Sequence, residues 1–255
     1  MSYLVANCSI MKDYFSVQLV DYSKFRPNYP EPMLEEILSL IKNRDFALDV
    51  ATGNGQVAVE LAKYFKTVYA TDISEKQLSQ AIAVPNVIYK KMAAETTDFE
   101  NAQFDLITVA QAIHWFDFEA FYQETNRILK PEGIFAVLGY GFFSTNPDSD
   151  KILCHLYEDI LGTYWNPERQ YLTDAYQTIP FPLEELVNKR FSREYSWSFE
   201  QLIGYLQTWS ATMNYIKEHN QNPVDLIKEE LRESWERSDK KVTFPMFLRV
   251  GRLKS

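Results

Sequence analysis

Between residues 31 and 140, short apolar runs alternate with stretches of helical periodicity, and this alternation limits the chain to few folds. Five runs read as strands: FALDV (46–50), TVYATD (67–72), NVIYKKM (86–92), FDLITVA (104–110) and GIFAVLGY (133–140). FDLITVA is continuously apolar enough to be a central parallel strand. Between the runs, residues 31–42 place Leu34, Ile37, Leu38 and Ile41 on one helical face, with Pro30 and Pro32 at the entry. QVAVELAKYF and SEKQLSQAIA read as the next two helices. Asp117 is placed as an N-cap before the helix carrying Phe118, Phe121, Tyr122, Thr125, Ile128 and Leu129, and Lys130-Pro131-Glu132-Gly133 stops it. Alternating strands and helices imply right-handed crossovers and a parallel sheet wound on both faces. Ligands in such sheets bind at the carboxyl ends of the strands.

The second half changes character. SDKILCHLYEDILGTYW, FEQLIGYLQTWSATMNYI and PVDLIKEELRESWER read as helices; the second puts Leu202, Tyr205, Leu206, Trp209, Met213 and Ile216 on one stripe. NKRFSREYSWS (188–198) and KVTFPMFLRVGRLK read as strands, which brings the sheet to seven. Pro245 in the last run predicts a bulge or an edge position. The expected fold class is therefore α/β, a doubly wound and mostly parallel seven-stranded sheet with a helical cap inserted in the C-terminal half.

Composition excludes several functions. The formal net charge of −9 over 255 residues argues against a general nucleic-acid binder, which needs a basic surface to displace counterions. Cys8 and Cys154 are far apart and lack metal-ligand spacing, and His114, His155 and His219 are scattered, so no metal site is expected. The first residues lack a signal-peptide pattern, and no apolar stretch is long enough to span a membrane. A cytoplasmic protein, monomeric or homodimeric, is the expectation.

The chemistry is concentrated in Asp49-Val50-Ala51-Thr52-Gly53-Asn54-Gly55-Gln56, which joins the first strand to a helix. Glycines there let the backbone turn tightly and approach a ligand. Asp72 ends the next strand, where a carboxylate can accept both hydroxyls of a ribose. Gly53-Asn54-Gly55-Gln56-Val57-Ala58 also fits the dinucleotide pattern GxGxxA, which keeps a nicotinamide-dependent oxidoreductase as a rival. Asp49 favours a different ligand. A carboxylate beside a pyrophosphate repels it by roughly 3 kcal/mol at about 5 Å and an effective dielectric near 20, about a hundredfold in affinity. S-adenosylmethionine (SAM) carries a sulfonium, an ammonium and one carboxylate, so its net charge is positive and an acidic strand end suits it.

LDVATGNGQ resembles the first motif of class I SAM-dependent methyltransferases, ATDIS their ribose motif, AAETTDF their adenine-side segment and FDLITVAQAIHWFD their fourth-strand motif. YSKFRPNYP, AQAIHWFD and LQTWSA resemble the small-molecule branch that includes trans-aconitate methyltransferase. The resemblance implies a lid over residues 1–30, a SAM-binding core over 31–141, a mainly helical cap over 142–238 and a final core strand over 239–255. It implies that Ala51, Thr52, Gly53 and Gly55 meet the methionine part of the cofactor and that Asp49 orients its ammonium. Asp72 and Ile73 would hold the ribose, Ala94 and Glu95 the adenine, and Ala110 and Gln111 the methionine moiety. Ala51 replaces a glycine of the usual loop, which is tolerable if that position avoids positive φ. Glu95 serves either adenine or a local cap.

Methyl transfer from a sulfonium is an in-line displacement, and a carboxylate acceptor needs no base. His114 is the titratable candidate after the fourth strand; it acts as a base, orients its loop or packs beside Trp115. Tyr140 either faces the site or packs within the sheet. Tyr22 and Arg26 are candidate lid residues, Arg26 pairing with a carboxylate or with a surface partner, and Trp115 and Trp209 are candidates for the substrate side. The expected partner is a small-molecule substrate, with no nucleic acid and no membrane. A non-catalytic SAM-binding module is the remaining alternative.

Overall fold

The computed structural model describes residues 25–254. Strands β1 (Phe46–Val50), β2 (Thr67–Asp72), β3 (Val87–Lys91), β4 (Phe104–Ala110), β5 (Leu129–Tyr140), β6 (Glu184–Ser196) and β7 (Lys241–Arg252) form one sheet in the order β3-β2-β1-β4-β5-β7-β6. The first five neighbours are parallel, and β7 runs antiparallel to both β5 and β6. The order reverses beside β1, between β1 and β4, and this switch point opens a crevice beyond their carboxyl ends.

The two-residue period of the strands sorts the core into two layers. Ala47, Leu106 and Ala136 face one layer, with Met33, Ile37 and Leu38 of α1 (Glu31–Ser39) and Val57, Ala58 and Leu61 of α2 (Gln56–Leu61). Leu48, Ile107 and Val137 face the other, with Phe121, Tyr122 and Ile128 of α4 (Phe118–Ile128). The short α3 (Glu75–Leu78) follows β2. Asp117 caps α4 as expected, accepting the Ala120 N–H at 3.1 Å.

The C-terminal helices add to the first layer rather than forming a separate body. They are α5 (Pro147–Cys154), α7 (Phe199–Gln207), α8 (Ser210–His219) and α9 (Lys228–Glu236), and Leu153, Leu202, Ala211 and Leu231 join the same buried cluster as α1. The short α6 (Gln170–Thr173) closes the second layer through Leu172.

Several elements depart from the periodicity, each for a tertiary reason. The helix expected over SEKQLSQAIA stops at Leu78, because Ile82 turns its N–H to the Asn54 carbonyl at 3.2 Å. The single helix expected from Phe199 breaks at Thr208, whose carbonyl accepts the Arg26 guanidinium at 3.0 Å. The stretch after Cys154 continues as a wide π-turn over His155–Ile160. β6 begins four residues earlier than the alternation suggests. Pro245 does not mark an edge strand: β7 lies between β5 and β6. Thr243 exchanges backbone hydrogen bonds with Ser144 at 2.9 Å, so Pro245 presents its backbone to that same flank, where the β5 ladder has ended at Tyr140–Met246. Only its carbonyl is needed there, and Gly141 N–H donates to it at 2.9 Å.

Candidate active site

The loop after β1 is held in a left-handed path. Ala51, Gly53 and Gly55 have φ of 53°, 58° and 90°. Thr52 N–H donates to the Thr71 carbonyl at 2.8 Å, which ties the loop to β2. The position does need a positive φ, so the condition under which alanine would be unstrained is not met, and Ala51 holds it at a cost of roughly 1–2 kcal/mol. Gly53 lines the crevice, and a Cβ built on it would meet only the Gln77 side-chain oxygen, at 3.9 Å. Gly55 is constrained from behind: a Cβ there would lie 2.2 Å from the Tyr89 hydroxyl. That hydroxyl donates to the Ile82 carbonyl at 2.8 Å, so Tyr89 and Ile82 brace the loop together. Sequence reasoning passed over Tyr89 as an ordinary strand residue.

Two carboxylates organise the crevice. Asp72 accepts Gly53 N–H and Ser74 N–H, each at 2.8 Å. Asp49 is 1% exposed and accepts the hydroxyls of Thr52 at 2.5 Å and Thr108 at 2.8 Å. Burial pushes its carboxyl up to about 6, against the opposing pull of the two threonine hydroxyls, and the nearby Asp72 charge adds to the rise.

A cavity of about 940 Å³ opens at this point. Asp49, Ala51, Thr52, Gly53, Asp72 and Ile73 line it from the ends of β1 and β2. Ala94 and Glu95 come from beyond β3, and Ala110, Gln111 and Trp115 from beyond β4. Tyr140 at the end of β5 and Arg26 before α1 complete the sequence-expected set. Arg26 donates to the Tyr140 hydroxyl at 2.9 Å, and Gln111 donates its amide to the Tyr140 carbonyl at 2.9 Å. Glu95 also accepts the Asp117 N–H at 3.2 Å, so it lines the cavity and caps a loop at once.

Three expected residues do not line it. Gly55 sits behind the loop, against Tyr89. Trp209 is 3% exposed and packs among Phe142, Tyr157, Trp165 and Tyr205. His114 is 5% exposed, and its Nδ1 lies 2.8 Å from the Tyr176 hydroxyl. Burial, aided by the Arg169 charge, pushes its imidazole down to about 3, so it stays neutral. Tyr22 lies outside the described residues. Asn166 and Glu168, from turns before α6, line the cavity without having been foreseen; no periodicity or motif marks them.

Among the described residues, the charged side chains lining the cavity are Asp49, Asp72, Glu95, Asp117, Glu168 and Arg26. Five carboxylates against one guanidinium suit a ligand with surplus positive charge and oppose a diphosphate. The donor set therefore fits SAM, and it disfavours the nicotinamide reading.

Sheet order, antiparallel β7 and the glycine loop at the switch point define the Rossmann-like methyltransferase fold. Residues 48–137 match the methyltransferase-domain family. A Dictyostelium discoideum protein described as a methyltransferase is 36% identical over 245 residues, covering 92% of this chain and 93% of that one. A Saccharomyces cerevisiae protein described as an S-adenosylmethionine-dependent methyltransferase is 24% identical, over 83% of this chain and 86% of its own. The structure of a protein described as a type II methyltransferase from Anaeromyxobacter dehalogenans superposes with a TM-score of 0.81 at 35% identity, over 91% of this chain and 100% of that one. The chain belongs to the SAM-dependent methyltransferases. Its cofactor is SAM, and it is an enzyme rather than a nicotinamide-dependent oxidoreductase or a non-catalytic module.

Proposed function

We propose that the chain methylates a small-molecule carboxylic acid, in the manner of the branch that includes trans-aconitate methyltransferase. The observation that carries this reading is the position of Arg26. Among the described residues it is the one cation lining a predominantly acidic cavity, and it donates to the Tyr140 hydroxyl and the Thr208 carbonyl. A guanidinium so placed is suited to a carboxylate. The net charge of −9 and the partly roofed cavity support a small acceptor over a nucleic acid.

Asp72 would accept the ribose hydroxyls, Asp49 would face the ammonium, and Gly53 with Ala51 and Thr52 would meet the methionine part. Ala94 and Glu95 would border the adenine. Bound SAM would supply an electrophilic methyl group on a sulfonium, with a neutral thioether as the leaving group. Arg26 would orient the acid, while Trp115 and Tyr140 exclude water around it. No histidine lines the cavity among the described residues, which suits an acceptor that is already ionised.

Methyl-labelled SAM incubated with a panel of small carboxylic acids, phenols and amines tests the reading. Label should pass to one or more acids. Transfer to phenols or amines alone would contradict it.

A further inference from the structure

Three features that the proposed reaction does not use form one chain of contacts behind Trp115, which lines the cavity. The first is His114, buried and neutral, with its ring 4.7 Å from the Trp115 indole. Trp115 lines the cavity and His114 does not. The second is a pair of consecutive left-handed residues without a glycine: Ala175 at φ 49° and Tyr176 at φ 58°. Each costs of order 1 kcal/mol, so the surrounding structure must impose them. The third is Arg249 on β7, only 7% exposed.

Arg249 explains how the strained turn is held. Its Nη1 donates to the Tyr176 carbonyl at 2.6 Å, and its Nε to Glu185 at 2.7 Å. Tyr176 N–H donates to the Tyr171 carbonyl at 2.7 Å. The ring stands edge-on to Phe247 at 5.2 Å and is fully buried. Every backbone group of the turn that these bonds use is fixed to α6 or β7. What the strain achieves is the placement of one hydroxyl, 2.8 Å from His114 Nδ1. Burial raises the Tyr176 phenol well above its ordinary value, so the hydroxyl keeps its proton and is available to donate. With Nδ1 accepting, the imidazole proton resides on Nε2.

We propose that Tyr176 is a positioning residue for the acceptor side of the active site: its hydroxyl fixes the plane of the His114 ring, and that ring holds the Trp115 indole at the cavity wall. His114 is then a spacer between a rigid turn and an aromatic wall, not a general base. The other two histidines lie elsewhere, His155 beside Asp159 and His219 beside Tyr164. The proposal rests on the reading that the space beside Trp115 receives the acceptor.

The chain has five tryptophans, so 5-fluorotryptophan labelling gives five fluorine resonances, and Trp115→Phe assigns the relevant one. In the parent protein the Trp115 signal should be single and sharp and should move when S-adenosylhomocysteine is added. In Tyr176→Phe it should shift and broaden or split, while the signals of Trp165, Trp197, Trp209 and Trp235 stay in place and report an intact fold. An unchanged Trp115 signal in Tyr176→Phe overturns the proposal. Should that variant fail to fold, the nitrogen-15 shifts of the His114 ring in the parent protein decide: Nδ1 should read as hydrogen-bonded, and an Nδ1 without a hydrogen bond overturns the proposal. The spectrum needs no acceptor, so failure of the carboxylic-acid panel would sink the acceptor reading and leave this one standing. With a methylated acid in hand, Tyr176→Phe should raise the acceptor KM at least fivefold and leave the SAM Kd within twofold. An equal loss in both would mark a general defect and overturn the positioning role.

Discussion

The Asp72 carboxylate accepts the backbone hydrogen of Gly53 at 2.8 Å, across nineteen positions of sequence. The residue proposed to receive the ribose therefore also holds the loop proposed to meet the methionine end. Asp72→Ala should raise the SAM Kd at least tenfold, about 1.4 kcal/mol, as read by calorimetry. Asp72→Asn keeps one acceptor oxygen and should lose less. Equal affinity in the parent and the alanine variant would count against this double role.

Asp49 should make SAM binding and stability respond to pH in opposite senses. Its folded carboxyl titrates at about 6, above the ordinary value of 3.8. Between these values the folded chain keeps a proton that the unfolded chain has lost, so stability falls as pH rises through that window. Above it the full penalty remains, about 3 kcal/mol for a shift near two units. Asp49→Asn should therefore raise the melting temperature at pH 7.5 and change it little near pH 4. A cationic ligand favours the ionised form, so SAM affinity should decline roughly tenfold per unit below pH 6 in the parent. The asparagine variant should bind weakly and without that slope. A matching slope in both would assign the titration elsewhere.

Ala51 holds a φ of 53° that glycine adopts freely. Ala51→Gly should stabilise the chain by up to about 1 kcal/mol, less the extra freedom that glycine adds to the unfolded state. Calorimetric melting should show a rise of about 2–4 °C. A fall would mean that the methyl group contributes packing exceeding its backbone strain.

Gly55→Ala should be far more damaging. Its φ is 90°, and the new Cβ would lie 2.2 Å from the Tyr89 hydroxyl. SAM binding should fall by more than tenfold. Tyr89→Phe, which removes only the bond to the Ile82 carbonyl, should weaken SAM severalfold with a modest change in melting temperature. Unaltered SAM affinity in Tyr89→Phe would show that the loop keeps its shape without this brace.

The central sheet was legible because β1 and β4 are buried on both faces and announce themselves as apolar runs, while β2 alternates buried with half-buried residues and ends on Asp72. The residues beyond those strand ends line the cavity for the same reason: chain order fixes which ends meet. Contacts distant in sequence were not legible. Nothing near Thr208 shows that Arg26 will take its carbonyl, and nothing near His114 shows that Tyr176, sixty-two residues on, will claim its imidazole. Trp209 fell on an apolar helical stripe, and a stripe does not distinguish a cavity wall from a packed core. Asn166 and Glu168 reach the cavity from irregular turns, where periodicity has no purchase.

Selection of a cationic methyl donor would come from the acidic cavity. Titration calorimetry of SAM and of NADH into the parent and Asp49→Asn proteins at pH 7.5 tests that most directly. SAM should bind the parent at one site, weaken at least tenfold in the variant, and show no competition from NADH. NADH binding to the parent as tightly as SAM, or SAM binding indifferent to the loss of the Asp49 charge, would contradict it.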